Sequence, residues 1–180
     1  MKYIIPIIIL FFTCKNASSD VKITELTINS EYTSKVIGII DGDTYDILID
    51  KSTFRIRVDA IDAPEKGMPY YKVSKKYLAE LCFGDSVHVL IKDIDKNGRY
   101  IGRTINSKGK DISIEMIRAG LAWHYKKYND EVPLANYEDS ARKNKVGLWG
   151  DPHIIAPWEV RRMHRAGYST KDLFSKKTHD

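Results

Sequence analysis

From residue 35 onward the chain divides into short runs in which apolar and polar positions alternate. VIGII (36–40), YDILI (45–49) and FRIRVDAI (54–61) are rich in branched and aromatic residues. DGDT and Asp50-Lys51-Ser52 separate them and read as turns. In the third run Phe54, Ile56, Val58 and Ala60 alternate with Thr53, Arg55, Arg57 and Asp59. A period of two gives a strand with one apolar and one polar face, and Pro64 stops it. SVHVLIKDI (86–94) and RYIGRTI (99–105) are two further strands, joined by the turn DKNG.

Between these runs the period lengthens. Tyr70–Phe83 predicts a helix with Val73, Tyr77 and Leu81 on its apolar stripe, Lys72, Lys75, Lys76 and Glu80 off it, and Gly84 at its end. Asp111–Ala119 predicts a short amphipathic helix. Pro133–Asn144 predicts another, with Pro133 in its first turn and Gly147 past its end. From Arg165 the chain is polar and reads as a frayed tail. Three strands, a helix, two strands and two helices predict an α+β, mainly β fold. The expected architecture is a five-stranded OB-type Greek-key barrel of antiparallel strands with about three helices.

The first residues carry a different pattern. An apolar run from Tyr3 to Phe12 follows Lys2. It is too short to span a bilayer and fits the apolar stretch of a secretory leader. Cys14 follows closely, so two outcomes stay open: lipid attachment at Cys14, or simple cleavage. The expected layout is a signal peptide or lipoprotein signal over 1–14, a linker over 15–34, the folded domain over 35–164 and a polar tail over 165–180. The expected location is exported: secreted, periplasmic or lipid-anchored at the cell surface. Membrane contact is expected only through Cys14, and the chain is expected to be a monomer with no protein partner.

Composition changes the picture little. A chain of 180 residues that is 43% hydrophobic suits one domain with a real core. A formal net charge of +5 favours an anionic partner. Beyond Cys14 only Cys82 remains, which argues against an internal disulfide. No CxxC or HExxH occurs, so a zinc site has no support.

Candidate chemistry sits in three clusters. Asp41 and Asp43 flank Gly42, and Asp62 and Glu65 flank Ala63-Pro64 where the third strand ends. Hard divalent cations take oxygen ligands, so Asp43, Asp62 and the carbonyl of Ala63 could share one ion. The competing reading is a hairpin turn and a helix-capping loop. The third cluster is basic. Arg57 lies on the polar face of its strand, and Arg99 follows Lys96-Asn97-Gly98. Arginine presents a planar fork that fits phosphate oxygens and stays charged. Two arginines facing a bound cation would suit a phosphodiester; two surface arginines in weak ion pairs are the alternative.

Asp93, Asp95, Asn97 and Gly98 also open like a helix-loop-helix calcium loop. That loop needs a glutamate at its twelfth position, which here is Thr104. The strand-like flanks and favourable turn residues instead predict a β-hairpin that fixes where Arg99 leaves the chain.

Taken in order, IDGDT (40–44), RVDAIDAPE (57–65), DKNGR (95–99), IRAGLAW (117–123) and GLW (147–149) resemble the staphylococcal nuclease, or thermonuclease-like, family. APWEVRR (156–162) is similar to the ends of bacterial members. The resemblance implies an OB-type barrel and calcium-dependent cleavage of DNA and RNA; no base-recognition code is visible in the sequence, so low sequence specificity is expected. It implies Asp43, Asp62 and the Ala63 carbonyl as calcium ligands, Glu65 as the general base, and Arg57 and Arg99 as contacts to the scissile phosphate. Tyr125 and Tyr128 are carried over as substrate-binding residues, and Lys96 is a further candidate. Asn97 stands where a tyrosine is common, and the two tyrosines are three apart where the reference pattern has two. Lys72, Lys75, Lys76, Lys126 and Lys127 are candidates for backbone contacts. Two alternatives stay open: a non-catalytic OB-fold nucleic-acid-binding domain, and a calcium-binding surface protein.

Overall fold

Alternating strands that bury one face close on themselves here. The structure, a computed structural model, describes residues 23–175; the apolar run and Cys14 lie outside the described residues. β1 (Glu31–Ile39), β2 (Thr44–Ile49), β3 (Ser52–Val58), β5 (Ser86–Ile94) and β6 (Tyr100–Asn106) form a closed barrel in the order β1-β2-β3-β6-β5. The short β4 (Ile61–Asp62) pairs with β7 (Trp123–His124) outside it. Five α-helices and a 3-10 turn at Gly147–Gly150 complete the described chain: α1 (Tyr71–Cys82), α2 (Ile112–Arg118), α3 (Val132–Lys143), α4 (Pro157–Arg165) and α5 (Thr170–Phe174). None is long and apolar enough to cross a membrane.

Val36, Tyr45, Ile47, Phe54, Ile56, Val58, Val87, Val89 and Ile91 fill the barrel, in step with the period-two pattern. The Tyr45 hydroxyl is buried with them and finds Thr104 Oγ1 at 2.8 Å, so its polar end is satisfied. α2 closes the core with Ile112, Met116 and Ile117, and Asp111 caps it by accepting from the Ile114 amide at 3.1 Å.

Several expectations need correction. The barrel is not wholly antiparallel: β3 and β6 pair in parallel, Ile56 opposite Tyr100 and Val58 opposite Gly102. Folding starts earlier than residue 35, because β1 begins at Glu31 and Leu26 is already in the core. The third strand ends at Val58. Ala60 adopts a left-handed φ of 65°, which turns the chain before β4. In α1 the buried stripe is Ser74, Leu78 and Cys82, while Val73 is 54% exposed. Both stripes have helical spacing and differ by one residue. Ser74 on this stripe faces the Gly42 loop at close range. Past Arg165 the chain forms α5, with Ser169 and Asp172 in a reciprocal capping box.

Candidate active site

The loop Asp41–Asp43 leads into β2 and is held from within. Asp41 Oδ1 accepts the Asp43 amide at 3.0 Å, and Thr44 Oγ1 donates to Asp43 Oδ1 at 2.9 Å. Gly42 is needed here for close approach: a Cβ would stand 2.0 Å from Ser74 Oγ and 2.8 Å from the Ala63 side chain. The loop therefore lies directly against α1 and the Asp62–Ala63 segment. The Ala63 amide donates to Asp43 Oδ2 at 2.9 Å, which fixes one acidic segment to the other.

Arg57 joins the two acids. It sits opposite Thr44 in the β2–β3 ladder. Its Nη2 lies 3.2 Å from Asp43 Oδ2 and 2.9 Å from Asp62 Oδ1, and its Nη1 donates to the Ile61 carbonyl at 2.8 Å. All three side chains are largely enclosed. An enclosed carboxylate needs such partners, since burial without them is costly.

Arg99 reaches the same rim from the β5–β6 hairpin. The turn has Gly98 at φ 75° and is closed by the Gly98 amide donating to the Asp95 carbonyl at 2.9 Å. Asp95 Oδ1 accepts the Asn97 and Arg99 amides, and Asp95 Oδ2 holds the Arg99 guanidinium at 2.7–2.8 Å. These bonds hold the Asp95 carboxyl below the ordinary aspartate range, despite the opposing effect of burial. Arg99 Nη1 stands 3.5 Å from Thr44 Oγ1, one hydrogen bond removed from Asp43. No calcium loop is formed, because both flanks are strands. An open depression of about 530 Å³ borders Arg99, lined also by Asp46, Thr53, Arg55, Asn97 and Gly98.

A third guanidinium completes the cluster. Arg161 of α4 places Nη2 2.6 Å from Asp62 Oδ2 and Nη1 2.5 Å from Glu65 Oε1. Asp62 and Glu65 thus converge on one arginine that sequence reading left without a role. Burial raises the Asp62 carboxyl above its ordinary range, with the Arg161 hydrogen bond opposing. Against the lowering effect of burial, hydrogen bonds and charge from Asp62 and Glu65 raise the pKa of Arg161. Asp41 is pushed up to about 6, first by burial and then by the charge of Asp43.

Residues 55–151 match the family described as staphylococcal nuclease homologue, more than half of the chain. The chain belongs to the staphylococcal nuclease family. It is 33% identical over 156 residues to a micrococcal nuclease of Shigella flexneri, an alignment covering 81% of this chain and 90% of that one. It is 36% identical over 143 residues to the protein ParB of Escherichia coli, covering 74% and 81%. It is 40% identical over 114 residues to the staphylococcal-like nuclease CAN1 of Arabidopsis thaliana, covering 63% and 35%.

Set against the expectations for this family, the structure brings Asp43, Ala63, Asp62, Arg57 and Glu65 together, with Arg99 on the adjoining rim. Among the described residues no group of three or more acidic, histidine or cysteine side chains is arranged around a metal position. Asp43 and Asp62 instead share Arg57, and Arg161 covers both oxygens of Asp62. The donor set still fits a hard cation, because two carboxylates close enough to share one guanidinium nitrogen offer oxygen ligands of the kind calcium takes.

The substrate-binding candidates are dispersed more widely. Lys96 is exposed at the hairpin tip. Tyr125 stacks on Trp158 at 5.3 Å with 5° between the planes, and meets Tyr128 edge-on at 5.0 Å. Tyr128 is 70% exposed. Trp158 was missed in the sequence, though it stands in the same APWEVRR segment as Arg161. Several candidate lysines are engaged elsewhere: Lys75 donates to the Ile40 carbonyl, Lys76 pairs with Glu80, and Lys126 pairs with the buried Glu138.

Proposed function

We propose that the protein is a calcium-dependent nuclease that hydrolyses phosphodiester bonds of DNA and RNA with low sequence specificity. The observation that carries this reading is Arg57 bridging Asp43 and Asp62 while Glu65 stands within reach of the same cluster. A lone surface arginine pair has no reason to be enclosed among carboxylates. Names borne by relatives in the family, micrococcal nuclease and staphylococcal-like nuclease, point the same way.

Asp43, Asp62 and the Ala63 carbonyl would hold calcium, which supplies positive charge against a phosphate oxygen. Glu65 aligns the attacking water and takes its proton. Arg57 and Arg99 donate to phosphate oxygens as negative charge grows in the transition state. Arg57 is preorganised for this by the Ile61 carbonyl and two carboxylates, and Arg99 by Asp95. Preorganised donors need no rearrangement at the moment of reaction.

The test is purified protein with plasmid DNA and with RNA, in calcium, magnesium or chelator. Cleavage of both in calcium and none in chelator is expected. Binding without cleavage would favour a non-catalytic nucleic-acid-binding barrel. Calcium binding with neither activity would favour a calcium-binding surface protein.

The proposal extends to export, on the strength of the apolar run Tyr3–Phe12 and the nearby Cys14. Metabolic labelling with a radioactive fatty acid, lost in Cys14→Ala, separates lipid attachment from simple cleavage.

A further inference from the structure

Arg161 occupies the oxygens that a cation would need. Asp62 Oδ1 accepts from Arg57 at 2.9 Å and lies 3.3 Å from Arg161 Nη1. Asp62 Oδ2 is held by Arg161 Nη2 at 2.6 Å. Glu65, the candidate base, is held by the same guanidinium at 2.5 Å. A cation shared by Asp43 and Asp62 therefore competes with a positive charge already in place.

The helix that carries Arg161 is anchored without it. Pro157 and Val160 are buried, and Trp158 stacks on Tyr125 and meets Trp123 edge-on at 6.4 Å. The Arg161 side chain itself is 33% exposed, so it can swing toward solvent while α4 stays docked. Arg57 differs: its side chain is 12% exposed and is tied to a carbonyl as well as to both acids.

Charge counting points the same way. Asp41, Asp43, Asp62 and Glu65 outnumber Arg57 and Arg161. Withdrawing Arg161 leaves a larger excess of negative charge to attract a divalent cation.

We propose that Arg161 is a displaceable latch: its guanidinium covers Asp62 and Glu65 in the cation-free protein and leaves Asp62 when a divalent cation binds. This rests on the calcium-dependent reading. The latch lowers apparent cation affinity by the fraction of molecules in which it is open. It also keeps Glu65 engaged until the cation arrives, so the base and the cation site become available together.

The experiment measures calcium binding to the full chain by calorimetry, without nucleic acid. Arg161→Gln is expected to tighten binding about tenfold or more, since the variant no longer spends most of its time closed. Arg161→Lys, whose point charge cannot bridge both carboxylates, is expected to tighten it less. It also serves if the glutamine variant folds poorly. Arg162→Gln removes an exposed charge paired with Glu159 and is expected to change nothing. Side-chain NMR on arginine-labelled wild type supplies a second readout. The Arg161 guanidinium protons are expected to be protected without calcium and to lose protection at saturation. Equal affinity in wild type and Arg161→Gln, or Arg161 signals unmoved at saturation, overturns the latch and leaves the nuclease reading standing. Absence of calcium binding in every protein sinks the calcium reading and the latch with it.

Discussion

Gly42 and Ser74 approach so closely that a single added methyl on the glycine would stand 2.0 Å from the serine hydroxyl oxygen. The hydroxyl cannot simply turn away, because it donates to the Leu121 carbonyl at 2.8 Å in the buried interior. Gly42→Ala must therefore move the loop that carries Asp43. The expected cost is about 1–3 kcal/mol, in the range of overpacked sites, with a fall in cleavage larger than the fall in stability. Gly42→Ala combined with Ser74→Ala should recover part of the stability, since the Ala63 side chain still crowds the position. Thermal melts and initial rates on the three variants check this.

Arg99 meets the site from a hairpin whose turn is closed by main-chain bonds. Arg99→Ala is expected to slow DNA cleavage on the order of a hundred- to a thousand-fold, as for loss of one transition-state donor. The melting temperature should change little, since the Arg99–Asp95 pair is partly exposed. Normal cleavage by this variant would remove Arg99 from the reaction.

Asp41 makes stability depend on pH in an unusual direction for an aspartate. Its folded pKa is about 6, against an ordinary value of 3.8. The folded state thus holds the proton more tightly between these values, and stability falls as pH rises through that window. Asp41→Asn keeps an acceptor for the Asp43 amide and removes the charge. In chelator it should stabilise the protein at pH 7 by on the order of 3 kcal/mol, and by little at pH 3.5. A variant equally stable to wild type at both pH values would refute this.

Cys82 is buried at the end of α1, and burial pushes its thiol up to about 12 from 9.0. A thiol-specific disulfide reagent at pH 8 should leave Cys82 unmodified in the native protein and react with it fully once the protein is unfolded. The sign for stability follows: the unfolded thiol ionises near pH 9 and the folded one does not, so stability is lost as pH rises above 9. Cys82→Ala should flatten the first part of that decline in urea melts taken from pH 8 to 11.

Binding to nucleic acid should weaken steeply with salt, because it is expected to release counterions from phosphates. Lys72 and Lys127 are exposed, Lys72 with no partner among the described contacts and Lys127 over the Tyr128 ring at 5.2 Å. Charge removal at both should lower the salt slope more than removal at Lys75 and Lys76. A binding constant flat from 50 to 200 mM salt, roughly the range in which such contacts are lost, would overturn the electrostatic account.

The strands were legible because each buries one face, and Phe54, Ile56 and Val58 mark that face without ambiguity. The acids and Arg57 were legible because they lie within a few residues of the strand ends that position them. Arg161 was not. It meets Asp62 across 99 residues, and nothing in its own surroundings distinguishes it from Arg162 beside it. The stripe of α1 was misread because Val73 is apolar and Ser74 is not, whereas Ser74 faces the Gly42 loop at close range and buries its hydroxyl with a hydrogen bond to the Leu121 carbonyl. The parallel pairing of β3 with β6 was hidden for a different reason: alternation shows which face is buried, not which neighbour a strand takes.

That parallel ladder sets when the constellation can exist. It joins Ile56 to Tyr100, 44 positions later, and no local turn does the work for it. A chain emerging from the ribosome therefore carries Arg57 and Arg99 as unconnected parts until the later strand is available and the cylinder shuts. An unfinished copy thus lacks the closed rim on which the two guanidinium groups meet.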